Sequence, residues 1–237
     1  TSASPIYTSS LLIDTTQTVK AKVYSPGLIP SQIVTNTYFI DEDFHLPVIS
    51  LSTNPDNLWN DTTGIYVLGN NASPNYPYKS ANYWQDWEKP VSVEYYDKQK
   101  NKVIQFDAGF KINGNYSRTK PQKSFEVMLD NEYGISEFTY PLIPEKKNIS
   151  SYNNFILRNA GTDWNKVHYR DGLMQRIMKN TYTGYLGYEP CDVFLNGRFW
   201  GVYEIRQNDN FTYVEKNFGY KKSEIDLLFE GGGVETK

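Results

Sequence analysis

The feature that most constrains this chain is a series of short runs in which apolar and polar residues alternate. Pro90–Tyr96, Gly109–Ile112, Lys123–Leu129 and Asn153–Arg158 each keep a period of two over strand length, the signature of half-buried β-strands. Asn196-Gly197 joins two further runs, Cys191–Leu195 and Phe199–Ile205. An Asn-Gly pair takes the positive φ that a two-residue hairpin demands at both positions. Helical spacing is rarer. Val167, Leu173, Met174, Ile177 and Met178 predict a helix over about Asn165–Tyr182, with Thr162 or Asp163 as its cap and Gly184 beyond its end. Phe211, Val214 and Phe218 predict a second over Asp209–Asn217, stopped by Gly219. The sum is an α+β chain: an antiparallel β-sheet with few helices.

The first forty residues read as a separate small β-unit. Ile6-Tyr7, Leu11–Ile13, Thr18–Tyr24 and Ile33–Ile40 are β-prone, and Val19, Ala21 and Val23 share one face. These runs bury little by themselves, since a complete sandwich has about seven strands. The acidic stretch Asp41-Glu42-Asp43 marks the boundary. The expected units are therefore 1–43 and 44–237. Between Asn54 and Asn82 the chain is rich in Asn, Pro, Gly and Tyr and reads as loop, broken by the strand-like Gly64–Val67. Long loops of this kind commonly carry function. The tail Gly231–Lys237 has the pattern of neither a capped helix nor a finished strand.

Composition removes several classes. Net charge is −3, with no clustered basic face for nucleic acid. No run approaches the ~18 apolar residues of a membrane span. The single cysteine, Cys191, sits in an apolar run and reads as a core side chain. His45 and His168 are far apart, which argues against a zinc site. No Gly-x-Ser-x-Gly accompanies them, which argues against a serine hydrolase. The chain opens on polar Thr1–Ser4, so any export signal is expected to have been removed or not included.

Six segments in order then carry a resemblance: Leu46–Leu51; Gly64–Val67; Trp87–Glu94; Gly114–Arg118 with Gln122–Phe125; Leu157–Trp164 with Arg170–Leu173; and Phe194–Arg206. Together they resemble the spore coat protein H (CotH) kinase-like family. Residues 5–40 resemble the tail of the Ig-like module at chitobiase and hexosaminidase C-termini, a partial β-sandwich. The resemblance implies an exported or cell-surface protein and the N-terminal part of an atypical kinase fold. It implies use of ATP and Mg²⁺ to phosphorylate protein substrates. It further implies truncation at both ends, with opening Ig-like strands before Thr1 and the metal-binding aspartates beyond Lys237. On that reading no catalytic or metal-binding residue falls within the chain. The family's Lys-Lys-Ser is here Gln122-Lys123-Ser124.

Phosphate chemistry needs fixed positive charge and backbone that approaches closely. Gly114 permits the approach, Arg118 can fork onto two phosphate oxygens, and Lys123 begins an alternating strand. By parity Lys123 shares the apolar face of Phe125, Val127 and Leu129, where a lysine needs a partner or a ligand. The plainer alternative is a solvated turn with Lys123 at a fraying strand end. Glu204 and Asp171 are the candidate carboxylates to hold Lys123. Against this, Glu204 can instead pair with Arg206, and Arg158-Asn159 can brace the Ala160-Gly161 turn. The aromatic wealth and the Asn70–Tyr83 loop suit another function, surface adhesion or carbohydrate binding, with a surface ligand as partner. A plain spacer is the third reading.

Overall fold

The computed structural model describes residues 4–229 and 233–235. Its strands and helices, in order, are β1 (Gln17–Ala21), β2 (Val34–Tyr38), β3 (Val48–Ser52), α1 (Pro55–Trp59), β4 (Lys89–Tyr96), β5 (Lys102–Asn113), β6 (Ser124–Met128), β7 (Phe138–Thr139), β8 (Ser151–Tyr152), β9 (Asn154–Arg158), α2 (Arg170–Met178), β10 (Tyr188–Leu195), β11 (Arg198–Arg206), α3 (Phe211–Phe218), β12 (Leu227–Phe229) and β13 (Gly233–Glu235). Antiparallel sheet with few helices is the observed class. The sheet goes further than the sequence pattern indicates, because it closes. Neighbouring strands run β3-β4-β5-β6-β9-β11-β10, all antiparallel, and β10 returns to β3 in parallel to seal a barrel. Closure removes the exposed edges that an open sheet would leave.

The barrel interior holds Ile49, Leu51, Val93, Phe110, Phe125, Leu157, Val193, Tyr203 and Ile205, all almost fully buried. Cross-strand partners share a face. Phe125 pairs Leu157 and Leu157 pairs Ile205, so one row of side chains crosses three strands into the core. Cys191 is core, as its apolar setting predicts, and burial pushes its thiol up. The Asn196-Gly197 turn forms as expected, with φ of 51° and 78°.

Of the β-prone runs before residue 41, two form a hairpin, β1 with β2. Ile6-Tyr7 and Leu11-Leu12 lie outside strands with exposed side chains. The face carrying Val19 and Ala21 is not the one that docks. Thr18 opposes Thr37 and Lys20 opposes Thr35, and on this polar face Thr35 and Thr37 are buried against the barrel. The reason is Glu94, buried on the outer wall of β4. Its carboxylate accepts from the Thr37 hydroxyl (2.6 Å), the Thr37 N–H (3.3 Å), the Tyr96 hydroxyl (2.9 Å) and Lys102 Nζ (3.3 Å). Beside the acidic stretch, Phe39 packs edge-on to Phe44, Tyr96 and Phe194.

Three local expectations are corrected. Gly64–Val67 is not a strand: its backbone is claimed by the end of α1, Ile65 N–H by Asn57 C=O (2.9 Å) and Tyr66 N–H by Leu58 C=O (3.0 Å). The helix expected over Asn165–Tyr182 is shorter, Arg170–Met178, because Gly161–Asp163 winds as a 3-10 turn and Asp163 binds Arg170 (3.2 Å) instead of capping. Its apolar residues Leu173, Met174 and Ile177 are exposed; the inward face is Gly172 and Asp171. The tail contains β13, paired with β12; its other residues lie outside those described. Helix α3 matches its prediction, with Asn210 Oδ1 accepting from Tyr213 N–H (3.1 Å) and Gly219 at φ 79°. No helix among the described residues is long and apolar enough to cross a membrane.

Candidate functional site

Between β5 and β6 the chain makes a tight excursion, and the residues singled out for phosphate chemistry sit on it. Gly114 takes φ 100°, a conformation strained for any side chain, and starts a 3-10 turn over Tyr116–Thr119. Arg118 Nε donates back to the Gly114 carbonyl, and its Nη1 reaches the Tyr83 carbonyl (3.1 Å). The guanidinium lies 6.0 Å from the Trp84 ring centre. Burial lowers the Arg118 pKa, partly offset by Asp86 and Glu126.

Lys123 is only 5% exposed, on the apolar side that parity assigned it. Its Nζ donates to the carbonyls of Arg118 (2.7 Å) and Lys120 (2.9 Å). The ring centres of Tyr83 and Tyr66 lie 4.2 Å and 5.2 Å away. No carboxylate pairs with it among the described residues. Burial accordingly pushes its pKa down to about 8. The backbone of Lys123 is pinned by two tyrosine hydroxyls. Its N–H donates to Tyr66 Oη (2.8 Å), and its carbonyl accepts from Tyr203 Oη (2.9 Å). Tyr66 also accepts from Trp200 Nε1 (2.9 Å) and donates to the Pro121 carbonyl (2.9 Å). An ammonium has three donors, so one Lys123 proton stays uncommitted.

The Asn-rich loop supplies the other wall. Trp84 meets Tyr116 edge-on (6.3 Å), Tyr76 stacks on Tyr116 (6.5 Å), and Lys79 Nζ sits 3.7 Å over Trp84. Sequence reasoning named this loop as functional but did not bring Tyr66, Tyr83 and Trp84 to Lys123. The signal was their interleaving with Asn and Gly, which carries no distance information.

Glu204 and Asp171 do not join the group. On β11, Tyr203 and Ile205 point inward, so Glu204 and Arg206 point out of the barrel. There Arg206 meets Asp171 (2.8 Å) and Glu204 (3.2 Å), and Arg158 meets Glu204 (3.4 Å) and Asp171 (3.6 Å). These four charges pin α2 to the wall. Burial raises the Glu204 pKa despite Arg206 and Arg158. The expected carboxylate partner of Lys123 is thus absent: the wall itself separates them. The alternative reading of Glu204, paired with Arg206, is what occurs. Asn159 braces its turn as anticipated, its Oδ1 accepting from Gly161 N–H (2.9 Å) while Ser124 Oγ lies 2.9 Å away.

Gly114, Arg118 and Lys123 are thus brought together on one excursion between β5 and β6. Comparison with protein families matches residues 110–229, just over half the chain, to the family described as CotH kinase protein. The matched span begins in β5, includes the whole excursion, and ends at β12. Comparison with curated proteins gave no match.

Proposed function

Because this chain belongs to the CotH kinase protein family, we propose that it is kinase-like and that Gly114, Arg118 and Lys123 hold the phosphates of ATP. The observation that carries this reading is Lys123: a buried ammonium with no carboxylate partner among the described residues and a third proton beyond the two given to carbonyls. Burying such a charge is costly unless a ligand or partner compensates it. The residues fit a polyphosphate. Arg118 keeps guanidinium protons beyond the two it uses, and Lys79 brings a further positive charge to the Trp84 ring beside it.

Bound ATP would supply the transferable phosphoryl group. The chain's part is positioning: the two tyrosine hydroxyls fix Lys123 and the Gly114 turn fixes Arg118. The family implies a metal ion as well. Among the described residues no His, Cys, Asp and Glu side chains gather in threes, and none is assigned to a metal ion. The acceptor in this reading is a hydroxyl of a protein at the cell surface or outside the cell.

Calorimetric titration with Mg·ATP tests the assignment. Lys123→Ala and Arg118→Ala are each expected to weaken binding at least roughly tenfold. Undiminished affinity in both variants removes it.

A further inference from the structure

Beside Arg118 and Lys123 stands a wall of aromatic rings. Two neighbours in the chain, Tyr83 and Trp84, link its parts. The Tyr83 ring centre lies 4.2 Å from Lys123 Nζ, and the Trp84 ring meets Tyr116 edge-on at 6.3 Å. Tyr116 stands on the excursion itself, midway between Gly114 and Arg118 in sequence. Its ring pairs with Tyr76, centres 6.5 Å apart and planes 29° apart. One strip therefore runs from the buried ammonium to a pair of nearly parallel tyrosine rings.

These two rings are open to solvent but held at their backbones. Tyr76 is 63% exposed and Tyr116 52%. Paired rings have centres about 4.5–7 Å apart, so this pair lies at the loose end of that range. Tyr78 N–H donates to the Asn75 carbonyl (2.7 Å), closing a turn around Tyr76. Trp84 Nε1 donates to the carbonyl of the next residue, Pro77 (2.9 Å). On the other side the Thr119 hydroxyl donates to the Tyr116 carbonyl (2.8 Å) and tightens its turn. Rings anchored in this way offer a preformed surface to a flat ligand at little entropic cost.

We propose that Tyr76 and Tyr116 stack the base of the nucleotide whose phosphates Arg118 and Lys123 hold. This rests on the nucleotide reading above and adds the group that tells a nucleotide from a bare polyphosphate. Charge narrows the ligand to an anion that carries a flat ring. Lys79 Nζ stands 3.7 Å from the Trp84 ring centre and 5.7 Å from that of Tyr116. The Arg118 guanidinium stands 6.0 Å from Trp84. A neutral sugar could lie on the same tyrosines, but it would leave these cations unused. A nucleotide uses both: its phosphates meet the cations and its base meets the rings, since every base has a π-face.

Parallel calorimetric titrations with Mg·ATP and with Mg·tripolyphosphate test the assignment. Because both rings are exposed, their variants are expected to keep the wild-type melting temperature. Tyr76→Ala and Tyr116→Ala should each weaken Mg·ATP at least roughly fivefold and leave Mg·tripolyphosphate unchanged, whereas Arg118→Ala should weaken both. Tyr116→Trp, which keeps a stacking face, should retain Mg·ATP affinity. Undiminished Mg·ATP affinity in both alanine variants of the tyrosines overturns the proposal and leaves the phosphate site standing. So does an equal loss of both ligands, which would make the tyrosines supports of the excursion. Binding of neither ligand by the wild-type protein removes the phosphate site, and the base platform with it.

Discussion

Lys123 and Glu204 stand on opposite faces of one barrel wall. Tyr203, the residue before Glu204, reaches inward and donates to the Lys123 carbonyl at 2.9 Å. Glu204 turns outward to Arg206 at 3.2 Å. A strand alternates its side chains, so no rotamer change brings that carboxylate to that ammonium. The consequence is a lysine whose charge is held by two carbonyls and two rings, and a separate ion cluster that fastens α2.

The pH dependence of anion binding follows from the Lys123 ammonium, pushed down to about 8 by burial. An anion binds the protonated form. Mg·ATP affinity is therefore expected to fall about tenfold per pH unit above the Lys123 pKa. Lys123→Arg, which stays charged, should flatten that fall if it binds at all. Calorimetry across pH 7 to 10 distinguishes the two profiles, and an equally steep fall in the arginine variant would place the titrating group elsewhere.

The outer ion cluster predicts stability without affinity. Glu204→Ala leaves Arg206, which is 2% exposed, facing Asp171 alone. Breaking a buried pair by removing one partner costs about 3–5 kcal/mol. Urea unfolding is expected to show a loss of that order, while Mg·ATP affinity of the folded variant stays at the wild-type value. A large drop in affinity at constant stability would join Glu204 to the nucleotide site after all.

Lys146 offers a linkage test away from the nucleotide site. Burial and Lys179 lower its pKa to about 8 while Glu145 opposes them, and its Nζ bonds to Tyr185 C=O (2.6 Å) and Asn217 Oδ1 (2.8 Å). Between that value and the ordinary 10.5, the unfolded chain holds the proton that the folded one has released. Stability from this group therefore rises with pH across the window. The wild-type protein should gain on Lys146→Met as pH moves from 8 to 10, read as the difference between two urea midpoints. A flat difference would mean that Lys146 titrates normally.

Docking of the hairpin is expected to rest on Glu94. Its carboxylate gathers Thr37, Tyr96 and Lys102, and a hydrogen bond to a charged group contributes about 1.5–3 kcal/mol. Glu94→Ala should raise amide exchange in residues 17–38 more than in the barrel strands. Gly197→Ala should do the same by another route, since a Cβ there would meet Gln17 Cα at 2.7 Å and Thr18 N at 2.8 Å. Unchanged exchange in the hairpin would show that Phe39, wedged against Phe194 and Tyr96, holds it alone.

Much of this was open to a reader of the sequence because it is local. Alternation fixed which segments are strands, Asn196-Gly197 fixed a hairpin, and Asn210 with Gly219 bounded α3. Parity alone put Lys123 on the buried face beside Phe125. Ordered motifs from Leu46 to Arg206 pointed to the family. Each inference uses residues a few positions apart, where backbone geometry dictates the outcome.

What the tertiary structure decided is long-range. The parallel return of β10 onto β3 turned a sheet into a barrel, and closure gave every strand an inside and an outside. That sorting sent Glu204 away from Lys123 and toward Arg158, Arg206 and Asp171. It brought Tyr66 and Tyr83, from a loop without periodicity, to the lysine. It also left a polar strip on the outer wall, so the hairpin docked through its threonines and not its valine face. Strand pattern determines which residues share a face; only the closed topology determines which faces meet, because that depends on contacts between residues far apart in the chain.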